Sequence, residues 1–452
     1  MANSNGWGDG ASNNLIGWGQ GADNAIGWGD SHLKSWAGAT DIAGFDSAAI
    51  SYFNATGISG ATQQDAIDNL IRGLKDDGIW SKMKAVYPFV TDNRNLLGYS
   101  EDFADISWTK SGQGFGNTPT VTSNAATAPN GTLTADRVQF SRTSLTSTSR
   151  STFRQSVTTQ QANSNGSIWL KSFDGTTQYV TLVNAAANNG SIQVEVTNEW
   201  KRFDTTFSGV VSTSQSLWVG LFDQLSTVLT ADVLVWGAQL ELGSAATTYQ
   251  PIATTQQAFI ANQFKYNLVN PLDTDAAFRL VFNGGWTHSS NGALPNGTNG
   301  FADTKLLGNT NIIKGNFGFG IYSRTNSLTN GAYGVDAALH IYPRFTDSSS
   351  YYRIFNGGSP VSNGTSLGLF SGFNDATNTS YAWLNAVKKQ TLASPSTIAS
   401  LNLMLSGNVQ DTGGYDNRQL AFAFASEYLN DTQVSNLYTR VQAFQTALSR
   451  NV

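Results

Sequence analysis

Short runs in which apolar and polar residues alternate, separated by Asn-Gly and Asp-Gly pairs, recur along most of this chain, and they set the fold class. Ile192, Val194 and Val196 alternate with Gln193 and Glu195, which places one apolar set on one face of a half-buried strand. Val233, Leu234, Val235 and Trp236 form a continuous apolar run, as expected for a strand covered on both sides. Asn130-Gly131, Asp174-Gly175 and Asn189-Gly190 supply residues that tolerate the positive φ of tight hairpin turns. Only 13% of the chain is charged, so amides and hydroxyls must wet its surface. These features predict a mainly β protein built from two antiparallel β-sandwich or jelly-roll domains.

Helical spacing appears in few places. Ala66, Ile67, Leu70, Ile71 and Leu74 recur at i, i+3, i+4, so a helix is expected from Ala61 toward Val86, with Thr62 as its cap and a break at Asp77-Gly78. Beyond that break, Ile79, Trp80, Met83 and Val86 suggest a second short helix stopped by Pro88, the pair forming a helical bracket. Near the end, Asn430-Asp431-Thr432 caps a closing helix with Val434, Leu437, Tyr438, Val441, Phe444 and Leu448 at helical spacing. Leu401/Leu403/Leu405 and Leu420/Phe422/Phe424 read as alternating strands.

The first thirty residues carry three copies of Gly-Trp-Gly, centred on Trp7, Trp18 and Trp28, and Trp36 follows. The central indoles are 11 and then 10 residues apart, too close for a solenoid unit, so each copy is one short strand or turn. Flanking glycines leave the indole faces open to a foreign backbone. The segment 1–44 is therefore expected to be an extended anchor buried by another protein. The alternative is that the rings fold back onto this chain's own core.

Composition excludes several functions. A net charge of −5 without a basic block gives counterion release no source, so nucleic acid is not an expected partner. Met1 leads into a polar Gly-rich stretch without a signal-peptide pattern, and no apolar run reaches membrane length, so no membrane insertion is expected. The chain has no cysteine, which removes disulfides and thiolate chemistry.

Catalytic signals are weak. Gly364-Thr365-Ser366-Leu367-Gly368 matches a nucleophile elbow, but that chemistry needs a strand before the serine, a helix after it and a later histidine, and the last histidine is His340. Glycan cleavage usually needs two carboxylates across the scissile bond; the chain has five glutamates, and the nearest pair, Glu195 and Glu199, belongs to a strand and its following turn. His32, His288 and His340 are dispersed, without zinc spacing. Asp303 and the loop from Asp411 to Asp416 lack regular calcium-ligand spacing, so the metal is left unassigned. No catalytic residue and no cofactor are expected. Trp108, Trp169, Trp200, Trp218 and Trp236 fall at core positions of the first sandwich. Trp286 beside His288, and Tyr351 and Tyr352 beside Asn356, lie in loop-rich text and are the candidates for an open, glycan-stacking face.

Asn95-Leu96-Leu97-Gly98-Tyr99-Ser100-Glu101-Asp102-Phe103, Trp108-Thr109-Lys110, and Ala128-Pro129-Asn130-Gly131-Thr132-Leu133-Thr134-Ala135-Asp136-Arg137 resemble the opening of the carbohydrate-binding-like jelly-roll domain of bacteriophage tail fibres and head spikes. Glu199-Trp200-Lys201-Arg202-Phe203 is similar to its penultimate-strand motif, and Trp236 to Gly243 with Tyr249-Gln250-Pro251 to its closing signature. The Gly-Trp-Gly leader, with Asp275 to Arg279 and Phe282 to His288, also resembles phage virion proteins carrying a concanavalin-like sandwich. The resemblance implies an anchor at 1–44, a helical part at 45–93, an inserted jelly roll at 94–252 and a sandwich with its helix at 262–452. It further implies a virion fibre, spike or collar protein, made in the host cytoplasm. Its partners would be capsid, portal, neck or tail proteins, copies of itself in a homotrimer, and host-surface polysaccharide. The alternatives are a purely architectural decoration or joint protein and a capsule depolymerase.

Overall fold

The computed structural model describes residues 44–452 other than 147, 159–162, 185–189, 209–213, 224, 356–359, 394–395 and 408–413. Trp7, Trp18, Trp28, Trp36, His32, Asn189, Asn356 and Asp411 lie outside the described residues. The chain divides into two compact units, one comprising the residues up to Asp92 with Ala261–Val452, the other Asn93–Ile260. Strand makes up 43% and helix 15%, so the mainly β expectation holds, with several antiparallel sheets and, among the described residues, no closed barrel.

The Asn93–Ile260 unit is a pair of five-stranded antiparallel sheets. One runs Thr109–Gln113, Arg150–Thr158, Ser214–Phe222, Gln178–Asn184, Ser191–Val196; the other runs Thr120–Ala126, Ala135–Ser141, Thr230–Leu242, Asn163–Ser172, Lys201–Ser208. Strand alternation sends Phe153, Leu217, Val219, Val180, Leu182, Val233 and Val235 into one shared core, where Trp108 is also buried. Trp236 is buried in a smaller cluster, against which Trp169, Trp200 and Tyr249 pack while half-buried. Trp218 is half-buried as well, so two of the five tryptophans expected in the core are fully enclosed.

In the other unit an eight-stranded sheet has the order Trp286–Ser289, Gly292–Pro295, Leu420–Ser426, Phe317–Ser323, Gly368–Asn374, Thr379–Leu384, Val387–Ala393, with Met83–Tyr87 also paired to Leu420–Ser426. A seven-stranded sheet runs Val281–Asn283, Phe301–Leu307, Asn402–Leu405, Tyr333–Asp336, Leu339–Tyr342, Ser349–Ile354, Val361–Ser362. The described helices are α1 (Ser47–Thr56), α2 (Ala61–Asp76), α3 (Gln256–Phe264) and α4 (Asp431–Ala447). Ile67, Leu70, Ile71 and Leu74 of α2 meet Val434, Leu437, Val441 and Phe444 of α4 over Phe422 and Phe424 of the large sheet. Asn430 caps α4 in a full capping box with Gln433.

Two local expectations are corrected. The helix begins after Gly60 without a side-chain cap, so Thr62 does not cap it, and it ends at Asp76. The expected second helix is absent: Trp80–Lys82 is a single 3-10 turn, and Met83–Tyr87 is a strand. A short apolar run fits either period, and here the ladder with Leu420–Ser426, plus a hydrogen bond from the Val86 amide to Asn267 Oδ1 at 2.9 Å, decides for strand.

Candidate functional site

The seven-stranded sheet separates neighbouring tyrosines. Leu339, Ile341, Tyr352 and Ile354 point into the core and are buried, so the alternate residues His340, Tyr342, Tyr351 and Arg353 face the opposite side. Register sets Tyr342 against Tyr351 and His340 against Arg353. The turn between the two strands adds Phe345, which meets Tyr342 and Tyr351 edge to face at 5.4 Å each; Tyr342 and Tyr351 are 6.2 Å apart. All three rings are half-buried, leaving part of each at the surface.

Polar groups flank this row. The Tyr351 hydroxyl donates to Asp347 Oδ2 at 2.6 Å, which raises the phenol's pKa and lowers that of the carboxyl. His340 is buried, packs edge to face on Tyr342 at 4.7 Å, and donates through Nδ1 to the Asp336 carbonyl at 2.9 Å. The result is an aromatic strip bordered by a carboxylate and a guanidinium. Because the three rings stand nearly perpendicular to one another, one of them at a time can lie face-on to the C–H face of a sugar ring while the polar edges exchange hydrogen bonds with hydroxyls.

The sequence-based candidates do not converge. Tyr351 lies in the strip, but Tyr352, one residue on, is buried and has no place on an open face. His288 is also buried, and burial pushes its imidazole down to about 4. Trp286 stands in the other sheet, half-buried, with its indole N–H directed at the carbonyls of Asn283 and Phe301 at 3.0 and 3.3 Å. Nothing in the sequence marks Tyr342 and Phe345. The Tyr-x-x-Phe spacing before an Asp turn carries too little signal without the register that brings Tyr351 across.

The Asn93–Ile260 unit has a cleft of about 410 Å³ lined by Tyr99, Glu101, Asp102, Asn124, Thr134 and Asp136, among others. Asp136 is buried and accepts from the amides of Phe103 and Asn124 at 2.9 Å each; burial raises its carboxyl to about 6. Both oxygens therefore serve to fasten the loop and the edge strand. Glu101 accepts from the Tyr249 hydroxyl at 3.2 Å. Lys110 donates to the carbonyls of Phe103, Ala104 and Asp105, holding the turn as a bound cation would.

Ser366 of the Gly-x-Ser-x-Gly segment is buried, donates to the Thr325 carbonyl at 2.9 Å, and is followed by the strand Gly368–Asn374 where an elbow requires a helix. Among the described residues no group of three or more His, Cys, Asp or Glu is arranged to hold a metal ion. No described helix is long and apolar enough to cross a membrane.

No protein-family model matches the chain, and no curated protein matches it. Solved structures that match include TmCBM61 in complex with β-1,4-galactotriose, at 17% identity over 33% of this chain and 100% of that chain, with a TM-score of 0.22. The CBM22-1–CBM22-2 tandem domain of Xyn10C from Paenibacillus barcinonensis matches at 13% identity over 75% of this chain and 98% of that chain, with a TM-score of 0.24. The enzymatically active domain of bacteriophage CBA120 tailspike protein 4 matches at 12% identity over 33% of this chain and 21% of that chain, with a TM-score of 0.23. The molecule belongs to the class of multi-sheet β-sandwich proteins.

Proposed function

We propose that the chain is a bacteriophage virion structural protein of the fibre, spike or collar type, which displays its sandwich units for adsorption to host-surface glycan. The observation that carries the glycan reading is the strip of Tyr342, Phe345 and Tyr351, three rings held edge to face on the outer side of a sheet beside Asp347 and Arg353. Supporting the virion context are the sequence resemblance over 95–252 and the Gly-Trp-Gly leader, in which Trp7, Trp18, Trp28 and Trp36 would anchor the protein to other virion proteins. A homotrimer fits such a role, because weak sugar contacts multiply when copies share one surface. Binding by the strip is non-catalytic: it stacks and orients without a paired acid and base.

The test is a binding series on purified host polysaccharide. Tyr342→Ala and Tyr351→Ala should each weaken adsorption by about fivefold or more, the loss expected for a central aromatic contact. Unchanged adsorption in both variants removes the strip from the reading. New reducing ends in the same incubation would instead identify a depolymerase, and retained virion attachment without any glycan binding would identify an architectural part. Removal of residues 1–44 should release the protein from particles while the remainder stays folded.

A further inference from the structure

Among the described residues, Arg154 and Arg353 are the two arginines whose guanidinium meets neither a hydrogen-bond acceptor nor a carboxylate. Arg353 borders the strip described above. Arg154 lies in the Asn93–Ile260 unit, and an indole holds it: its guanidinium carbon is 4.0 Å from the Trp218 ring centroid, with the two residues directly opposite in register.

Their surroundings follow from strand alternation. Phe153, Leu217 and Val219 fill the core, so Arg154, Ser156, Ser216 and Trp218 project from the other side of the sheet. Hydroxyl pairs lie on both sides of the Arg154–Trp218 row, with Ser156 and Ser216 at 2.8 Å and Ser111 and Thr152 at 3.3 Å. Farther along, the same face is closed over, since Thr181 bonds Ser226 at 2.7 Å, Gln193 bonds Thr227 at 3.1 Å, and Arg150 is spent on Asp223. The Arg154 end retains unspent N–H donors. Stacking on an indole fixes the plane of a guanidinium without using its hydrogen-bonding edges, which leaves a fork matched to a carboxylate.

We propose that this sheet face is a second saccharide site and that it takes a sugar bearing a carboxylate, a uronate unit. Arg154 grips the carboxylate through two parallel hydrogen bonds, the half-exposed Trp218 lies against the ring, and the serine hydroxyls meet its neighbouring oxygens. The inference goes beyond the adsorption reading, since it requires neither the tyrosine strip nor a virion.

The experiment titrates the full chain with oligogalacturonate and with a neutral oligogalactoside of equal length, followed by indole fluorescence and calorimetry. The acidic ligand should bind at least about tenfold more tightly, as a charged hydrogen-bond pair implies, and the gap should narrow as salt rises. Arg154→Gln should abolish the preference, and Arg154→Lys should restore only part of it because an ammonium cannot bond in two parallel lines. Ser156 is exposed, so Ser156→Glu supplies an internal competitor without disturbing the core and should also suppress uronate binding. Tyr351→Ala should leave the preference intact, which separates this site from the strip. Equal affinity for both sugars, no binding of either, or an undiminished preference in Arg154→Gln together with Ser156→Glu overturns the proposal.

Discussion

Replacing Asp416 by alanine should unfold the discontinuous unit far more readily than its position in a loop suggests. Asp416 and Arg418 have fully enclosed side chains, joined at 2.9 Å between Oδ2 and Nη1. The carboxylate also accepts from the backbone amides of Asn417 and Arg418 and from the Tyr333 hydroxyl, while the guanidinium reaches the carbonyls of Ser327, Thr329 and Arg344. Burial together with the Asp416 charge raises the Tyr333 phenol well above its usual range, which favours the protonated form that donates to Asp416. Asp416→Ala strands a buried cation, a loss of about 3 to 5 kcal/mol. At roughly 2 to 4 °C per kcal/mol for a unit of this size, Tm should fall by about 10 °C. Denaturant unfolding of the wild type, Asp416→Ala, Arg418→Met and the double variant gives the coupling. The double variant should recover part of the single variant's loss, with Tyr333 still lacking its acceptor. A loss below about 1 kcal/mol in Asp416→Ala, or additivity within about 0.5 kcal/mol, would refute the reasoning.

Three further outcomes are expected. Burial lowers the His288 pKa to about 4, below its unfolded value, so the neutral ring's contribution is complete above about pH 6.5 and is lost as pH falls through 4; it amounts to about 3 kcal/mol, and His288→Phe should flatten the pH dependence of the denaturation midpoint in that window. At Gly334 an added Cβ would lie 2.2 Å from the Leu339 carbonyl oxygen and 2.6 Å from His340 Cβ, so Gly334→Ala should lower stability by about 1 to 3 kcal/mol in thermal unfolding and weaken glycan binding by displacing the strand that carries Tyr342. Lys110→Met leaves the carbonyls of Phe103, Ala104 and Asp105 without their shared donor, and faster amide exchange at Ser107 and Trp108 should report the loosened turn, where unchanged exchange would argue against it.

Much of the architecture was legible because period and punctuation are local. The spacing of Ala66 through Leu74 placed one face of α2, and all five residues are buried. Asn430-Asp431-Thr432 marked the start of α4, and the structure adds Gln433 as the partner that completes the cap. The run Val233 to Trp236 is enclosed on both sides as its continuity implied, whereas Ile192, alternating with Val194 and Val196, stays 45% exposed while those two are buried. Legibility ended where one apolar run fits two periods: Met83–Tyr87 became a strand because Leu420–Ser426, more than 300 residues away, supplies its hydrogen-bond partners.

The sites were less legible, because a site is a set of side chains from several strands. Tyr351 and Tyr352 are indistinguishable as sequence, yet the pleat sends one outward and the other into the core. Trp218 and Arg154 are 64 positions apart and meet only through the register of Ser214–Phe222 with Arg150–Thr158. By itself the sequence determined that this chain builds antiparallel sheets with few helices, since alternation and turn residues act within a few neighbours. Which alternate residue faces outward, which tyrosines share a strip and which arginine keeps its donors unspent were decided by tertiary structure, because strand pairing fixes the face and the neighbours of every side chain together.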